Sequence, residues 1–299
     1  MVIATRLLIA TLLAGTALGA SAAVDTTDYD RLRVLPALTG NPGDQDWRAR
    51  GAVTPVKNEG DCDASWAFGV AELVESDHAI RQGTLLSLST QELLDCTGSE
   101  SGCSGGRPIS ALRTVITKGG LATTASYPYT ARMGVCSAST PAATVPGAGL
   151  VPPGDEASLQ NYVARGPVLA LIDDSNPAFN TYRGGIFTGP CGSGPPTRAV
   201  LIVGYTSDYW IVKNSLGTSW GAQGYIYMAR HQNICGINNY ALAISNDALP
   251  APAVPAIPAL SPWAVASLLG SLLALGLALS RVEEFRSNRR TSTPMNRPK

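Results

Sequence analysis

The chain has 299 residues, enough for one large or two modest domains with a sizeable core. Its 22 Lys and Arg balance 22 Asp and Glu, so the formal net charge is zero, and only 15% of residues are charged. This balance argues against nucleic acid or any other polyanion as an obligate partner. The 31 glycines and 21 prolines point to a loop-rich fold with a β component.

In chain order, Arg6 precedes an apolar run from Leu7 to Leu18 that stops at Ala20-Ser21-Ala22-Ala23. This is the layout of a secretory signal peptide, residues 1–23, and it predicts export from the cytoplasm. A short segment, 24–42, leads to the globular part. There, Gly60-Asp61-Cys62-Asp63-Ala64-Ser65-Trp66-Ala67-Phe68 reads as a turn feeding a buried helix that runs from Ser65 to about Gln82. Ser65 stands at the helix start, where a hydroxyl caps free N–H groups and where the helix dipole favours an anionic nucleophile. Local sequence alone supports the plain N-cap.

A shorter helix contains Gln91-Glu92-Leu93-Leu94 and is entered through Ser89 or Thr90. A third runs from Pro108 to Lys118 before Gly119-Gly120, with proline at its start and glycine past its end. A fourth spans about Glu156 to Arg165. Pro167 to Ile172, Arg198 to Tyr205, Tyr209 to Val212 and Tyr225 to Ala229 are short apolar or β-branched runs between turn residues, and read as strands. Helices followed by sheet give an α+β class in two lobes.

Residues 248–262 form a Pro/Ala linker, 263–280 an uncharged apolar segment of membrane-spanning character, and 281–299 a basic tail with Arg281, Arg286, Arg289 and Arg290. Such a basic end stays in the cytoplasm and leaves the globular part outside. The six cysteines of an exported chain are expected in disulfides, with the pairing left open by their count. Unpaired spacings and only two histidines argue against a metal site, and no cofactor is expected.

Several motifs occur together in one order: Asp46-Trp47-Arg48, Gly51-Ala52-Val53-Thr54-Pro55-Val56-Lys57-Asn58, Cys62…Ser65-Trp66-Ala67-Phe68, Leu93-Leu94-Asp95-Cys96 and Gly102-Cys103-Ser104-Gly105-Gly106. Tyr127-Pro128-Tyr129, Gly185 to Cys191, Ala199 to Tyr205, Tyr209 to Ser215 and Gly217-Thr218-Ser219-Trp220-Gly221 follow. Over residues 43–247 the chain resembles the papain-like cysteine peptidases. The resemblance implies a helical lobe, a β-barrel-like lobe and a cleft between them. It also implies the pairs Cys62–Cys103, Cys96–Cys136 and Cys191–Cys235, which leave no thiol free. The tail, headed by Ile257-Pro258-Ala259-Leu260-Ser261-Pro262, resembles a bacterial Ile-Pro-Thr-Leu sorting signal, with Ala259 in place of Thr. That implies an envelope peptidase as a partner and a membrane anchor before processing.

Matched residue by residue, the family's nucleophile position is Ser65, the imidazole position Arg198, the orienting Asn is Asn214, and the oxyanion-donor Gln position is Glu59. Leu216 replaces a shielding Trp. A guanidinium cannot act as a base, a serine hydroxyl needs one, and a carboxylate repels a developing oxyanion. His78 and His231 map outside the cleft. Hydrolysis by the family route is therefore expected to be absent. Glu59 and Arg198 either pair across the old site around Ser65 or stand as two solvated charges. Asp63 adds charge at the cleft rim. Gly105 and Gly106 match glycines whose backbone pairs with an extended peptide, or they serve the turn after Cys103. The leading reading is an exported, envelope-anchored pseudoenzyme that binds peptide or protein in its cleft. An active peptidase with an unorthodox Ser65 site and a structural or adhesive surface module are the alternatives.

Overall fold

The computed structural model describes residues 32–98, 100 and 102–246. The signal peptide, the linker and sorting motif, the apolar segment 263–280 and the basic tail lie outside the described residues. No helix among the described residues is long and apolar enough to cross a membrane.

The elements in order are β1 (Gln45–Asp46), α1 (Ser65–Gln82), α2 (Thr90–Cys96), α3 (Pro108–Thr117), β2 (Ala148–Leu150), α4 (Glu156–Val163) and β3 (Val168–Ile172). They continue with α5 (Pro177–Asn180), β4 (Ile186–Phe187), β5 (Arg198–Tyr205), β6 (Tyr209–Lys213), β7 (Tyr225–Ala229) and β8 (Tyr240–Ile244). The strands form one sheet in the order β2-β8-β3-β5-β6-β7-β4, with β1 added to β5. The β4–β7 pair is parallel and every other pair is antiparallel. The architecture is the expected α+β fold. The short strands β1, β2 and β4 and the single turn of α5 carry too little periodicity to be read beforehand, and β8 (Tyr240–Ile244), with two alanines and a single β-branched residue, gives a weak strand signal.

Every residue of β3 and β5 is buried, which explains the apolar character of β3 and of β5 after Arg198. Alternation along each strand divides the core in two. Leu169 and Leu171 with Ala199, Leu201 and Val203 face the cluster built on α1, α2 and α3. Val168, Ala170 and Ile172 with Val200 and Ile202 face a second cluster that contains Phe179, Trp210 and Trp220. The chain before β1 also belongs to the core. Leu32 and Leu35 are buried, Leu35 N–H donates to Leu150 O at 2.8 Å, and Leu150 N–H donates to Arg33 O at 3.0 Å.

α1 is buried along its first three turns, and Gly69 lets it lie close on the sheet. A Cβ there would sit 3.1 Å from Leu169 Cδ1 and 3.5 Å from Ala199 Cβ. Farther along, buried Glu72 faces fully buried Lys213 of β6, with Lys213 Nζ 2.8 Å from Glu72 Oε1. Glu75 accepts from Leu88 N–H at 2.7 Å and holds Thr54 and Lys57. These bonds fix the rotation of α1, and with it the direction of its first turn.

Candidate active site

The start of α1 is held by a disulfide and a tryptophan. Cys62–Cys103 joins the turn before the helix to the next loop, Asp63 N–H donates to Cys103 O at 3.1 Å, and Asp63 pairs in parallel with Ser104. Trp66 Nε1 donates to Gly102 O at 3.2 Å. Gly106 lies flat against the Trp66 ring, where a Cβ would come within 2.5 Å of Cε2. That contact requires glycine whatever else the segment does. Cys96–Cys136 and Cys191–Cys235 are the other two bridges, and all six cysteines are bonded.

Ser65 is not the N-cap that local sequence suggested. Ala64 occupies the cap position without a side-chain bond, and Ser65 is the first helical residue. Its buried Oγ turns instead to the sheet and accepts from Ala199 N–H of β5 at 3.2 Å. The backbone donor of a neighbouring strand, which no local pattern reveals, replaces the helix's own N–H groups. Among the described residues the Ser65 hydroxyl makes no hydrogen bond to a carboxylate or an imidazole.

Arg198, which precedes Ala199, opens β5 and is 8% exposed. Its Nη1 donates to Glu59 Oε1 at 2.6 Å, and its Nε donates to Asp174 Oδ2. The two charges of the expected pair are therefore buried together, and the alternative of solvated, independent groups does not apply. Glu59 is 2% exposed, and its Oε2 also accepts from Ala64 N–H at 3.2 Å. Burial pushes the Glu59 carboxyl above its ordinary range, opposed by the charge and hydrogen bond of Arg198, while the charge of Asp63 adds to the rise. Arg198 is disfavoured as a cation by burial, but Glu59 and Asp174 outweigh that cost and hold its pKa above the usual arginine value. One guanidinium between two carboxylates has no neutral alternative, so Arg198 stays a cation.

Sequence reasoning missed Asp174. It follows β3, whose last residue Ile172 pairs with Arg198 in the β3–β5 register, and this brings its carboxylate to the guanidinium. Thr197 Oγ1 donates to Asp174 Oδ1 and fixes its rotamer. The sequence signal was an Asp173-Asp174 pair at the end of an apolar strand, but only the strand pairing gives it meaning.

Asn214 is buried behind the site. Its Oδ1 accepts from Ser215 N–H at 2.9 Å, and Nδ2 has no partner among the described residues. The chain around it is drawn to Glu59 by Glu59 N–H donating to Ser215 O at 2.8 Å and by the Asn58–Leu216 bridge. Tyr129 OH donates to Glu59 O at 2.9 Å, and burial with the Glu59 charge raises its pKa. Asp63 is half-buried at the edge, beside half-exposed Gly105 and Gly106.

Neither histidine reaches this place. His78 is roughly 20 Å along α1 from Ser65. His231 contacts Glu156 and Ser207 O beyond the far end of β5, on the order of 20 Å away.

A helix tip set against the first residues of a central strand, stapled by Cys62–Cys103 and flanked by Glu59, Arg198 and Asn214, defines a papain-type cleft. Residues 41–245 match the model of the papain family of cysteine proteases, and the chain belongs to that family. It is 40% identical over 210 residues to Zingipain-2 of Zingiber officinale, which covers 67% of this chain and 95% of the relative. It is 43% identical over 223 residues to the cysteine endopeptidase Rep1 of Oryza sativa subsp. japonica, covering 70% of this chain and 58% of the relative's length. Among solved structures it resembles the bromelain protease of Ananas comosus in complex with the E64 inhibitor, with a TM-score of 0.66 and 40% identity over 69% of this chain and 100% of that one.

Proposed function

We propose that this chain is an exported papain-fold pseudopeptidase whose cleft binds polypeptide without cleaving it. The observation that carries the reading is the Arg198 guanidinium, held between Glu59 and Asp174 beside the Ser65 hydroxyl. Guanidinium stays protonated at any pH the fold tolerates and has no lone pair to take the serine proton. Glu59 in turn sets negative charge beside the helix tip, where a tetrahedral oxyanion would form.

Export fits the three disulfides, which persist in oxidising compartments. In this reading residues 1–23 direct export, 263–280 anchor the chain in the envelope, and 257–263 meet a sorting peptidase. The names of the relatives favour a second reading, a working peptidase built on Ser65.

The two are separated by turnover of a fluorogenic peptide amide by the full chain, by Ser65→Cys, and by Ser65→Cys with Arg198→His and Glu59→Gln. The pseudopeptidase reading expects no turnover from the first two and partial recovery in the third. Turnover by the unaltered chain that disappears in Ser65→Ala would overturn it.

A further inference from the structure

A cavity of about 630 Å³ lies between the loop 188–196, which leads from β4 to β5, and the turn 232–236 ahead of β8. Cys191–Cys235 joins these two segments. Neither Ser65, Glu59, Arg198 nor Asn214 lines the cavity, so it is not part of the site at the tip of α1. Among the described residues, Asp173 is the only charged side chain that lines it. Asp173 follows β3 and is 6% exposed. Its N–H donates to Cys235 O at 3.0 Å, its Oδ1 accepts from Ser175 N–H at 3.0 Å, and its Oδ2 accepts from Gly194 N–H at 2.8 Å. Gly192 lies directly against the carboxylate, where a Cβ would come within 2.1 Å of Oδ2 and 2.2 Å of Oδ1. Burial pushes this carboxyl up, but the hydrogen bonds from Ser175 and Gly194 outweigh that and hold it below the ordinary carboxylate range. Asp173 is therefore an anion at neutral pH.

That anion has no cation to face. No lysine, arginine or histidine lines the cavity, and none among the described residues acts on the Asp173 carboxylate. The neighbouring loop adds acceptors rather than donors. In residues 189–196, Pro190, Pro195 and Pro196 have no N–H and Gly194 N–H is taken by Asp173, which leaves four N–H groups against eight carbonyls. None of those carbonyls accepts a backbone hydrogen bond among the described residues. A buried carboxylate beside free carbonyls repels an anionic ligand and favours a cationic donor. A bare metal ion is a poor match, because hard cations take six or more oxygens and only one carboxylate is present. A guanidinium binds best with its fork on both oxygens of a carboxylate, and here both are already bonded and covered by Gly192. A compact ammonium can place one N–H on Asp173 and its others on carbonyls. Pro195, Pro196, Ile234 and the Tyr240 ring give an alkyl stem apolar surface to lie on.

We propose that this cavity is a binding site for an organic primary amine, with the ammonium on Asp173 and carbonyls of the loop 189–196 and the alkyl stem along the prolines. The site stands whether or not the cleft cleaves peptide, because it shares no lining residue with Ser65, Glu59 or Arg198. A free alkylamine and a lysine side chain offer the same chemistry, and the size of the cavity admits either.

The test uses the full chain labelled with 15N-glycine and follows the Gly192 and Gly194 amides at pH 7, where an alkylamine is charged. The probes are n-butylammonium, Nα-acetyl-lysine methylamide and, as the neutral control, n-butanol. The two amines are expected to shift both amides in a saturable way, and n-butanol to leave them in place. Asp173→Asn should weaken the amine response about tenfold or more. If Asp173→Asn does not fold, Ser193→Lys decides the matter, since this exposed lining position would supply an ammonium of its own and abolish the response. Tighter binding of the lysine derivative would assign the site to a lysine side chain, and equal or tighter binding of n-butylammonium to a free amine. No saturable shift up to about 50 mM amine, an equal response to n-butanol, or an amine response that persists in Ser193→Lys overturns the inference.

Discussion

Replacing Arg198 by Met tests the buried ionic cluster directly. Arg198, Glu59 and Asp174 are 8%, 2% and 5% exposed. Removing the guanidinium leaves two enclosed carboxylates whose remaining donors are Ala64 N–H and Thr197 Oγ1. Carboxylates bound to different nitrogens of one guanidinium lie about 5–6 Å apart, and at an effective dielectric of about 20 their repulsion is roughly 3 kcal/mol. Loss of a buried ionic partner costs about 3–5 kcal/mol in general. Arg198→Met should therefore lose about 3–5 kcal/mol at pH 7, measured by urea unfolding with the disulfides intact.

The sign with pH follows from the same geometry. Without the cation, at least one carboxyl has a folded pKa above its unfolded value. Its stabilising contribution is then complete below the unfolded value near pH 4 and is lost as pH rises through the folded value. The deficit should shrink as pH falls from 7 towards 4, and adding Glu59→Gln and Asp174→Asn should restore most of the stability at pH 7. A loss under about 1 kcal/mol, or one that does not change with pH, would refute the burial argument, because exposed pairs contribute only about that much.

Other outcomes follow from neighbouring contacts. Glu59→Gln alone should flatten stability between pH 4 and 8 in urea titrations, because burial raises the Glu59 pKa and ionisation costs stability as pH rises. Gly106→Ala should lower stability by about 1–3 kcal/mol in thermal unfolding, since its Cβ would stand 2.5 Å from the Trp66 ring. Ser65→Ala should cost about 1–2 kcal/mol by stranding Ala199 N–H, which faster amide exchange at Ala199 would report. Removing Cys191–Cys235, whose partners are 44 residues apart, should cost about 3–4 kcal/mol in denaturant unfolding.

Much of the scaffold could be read from local chemistry. α1 declares itself through its apolar content and stops at Gly83, which adopts the left-handed conformation. α3 begins at a proline, and α2 is capped by Ser89, whose side chain accepts from Glu92 N–H. β3, and β5 beyond Arg198, are apolar because both faces are covered. What could not be read depends on pairing between distant segments. Asp174 acquires its partner only through the β3–β5 register, and the Ser65 hydroxyl turns from helix to sheet because Ala199 N–H is available. Gly106, whose motif suggested either peptide pairing or a turn, is required first by the face of Trp66.

The segment before β1 sets a limit on how far the chain can be trimmed. Leu32 fills the helical-side core and Leu35 the other, with Leu35 seated against Gly149. A nick on the C-terminal side of Leu35 would empty two leucine-sized holes at about 2–5 kcal/mol each and unzip the contact with Leu150. Cleavage there would take from the fold a strand-like edge that both halves of its core are built on.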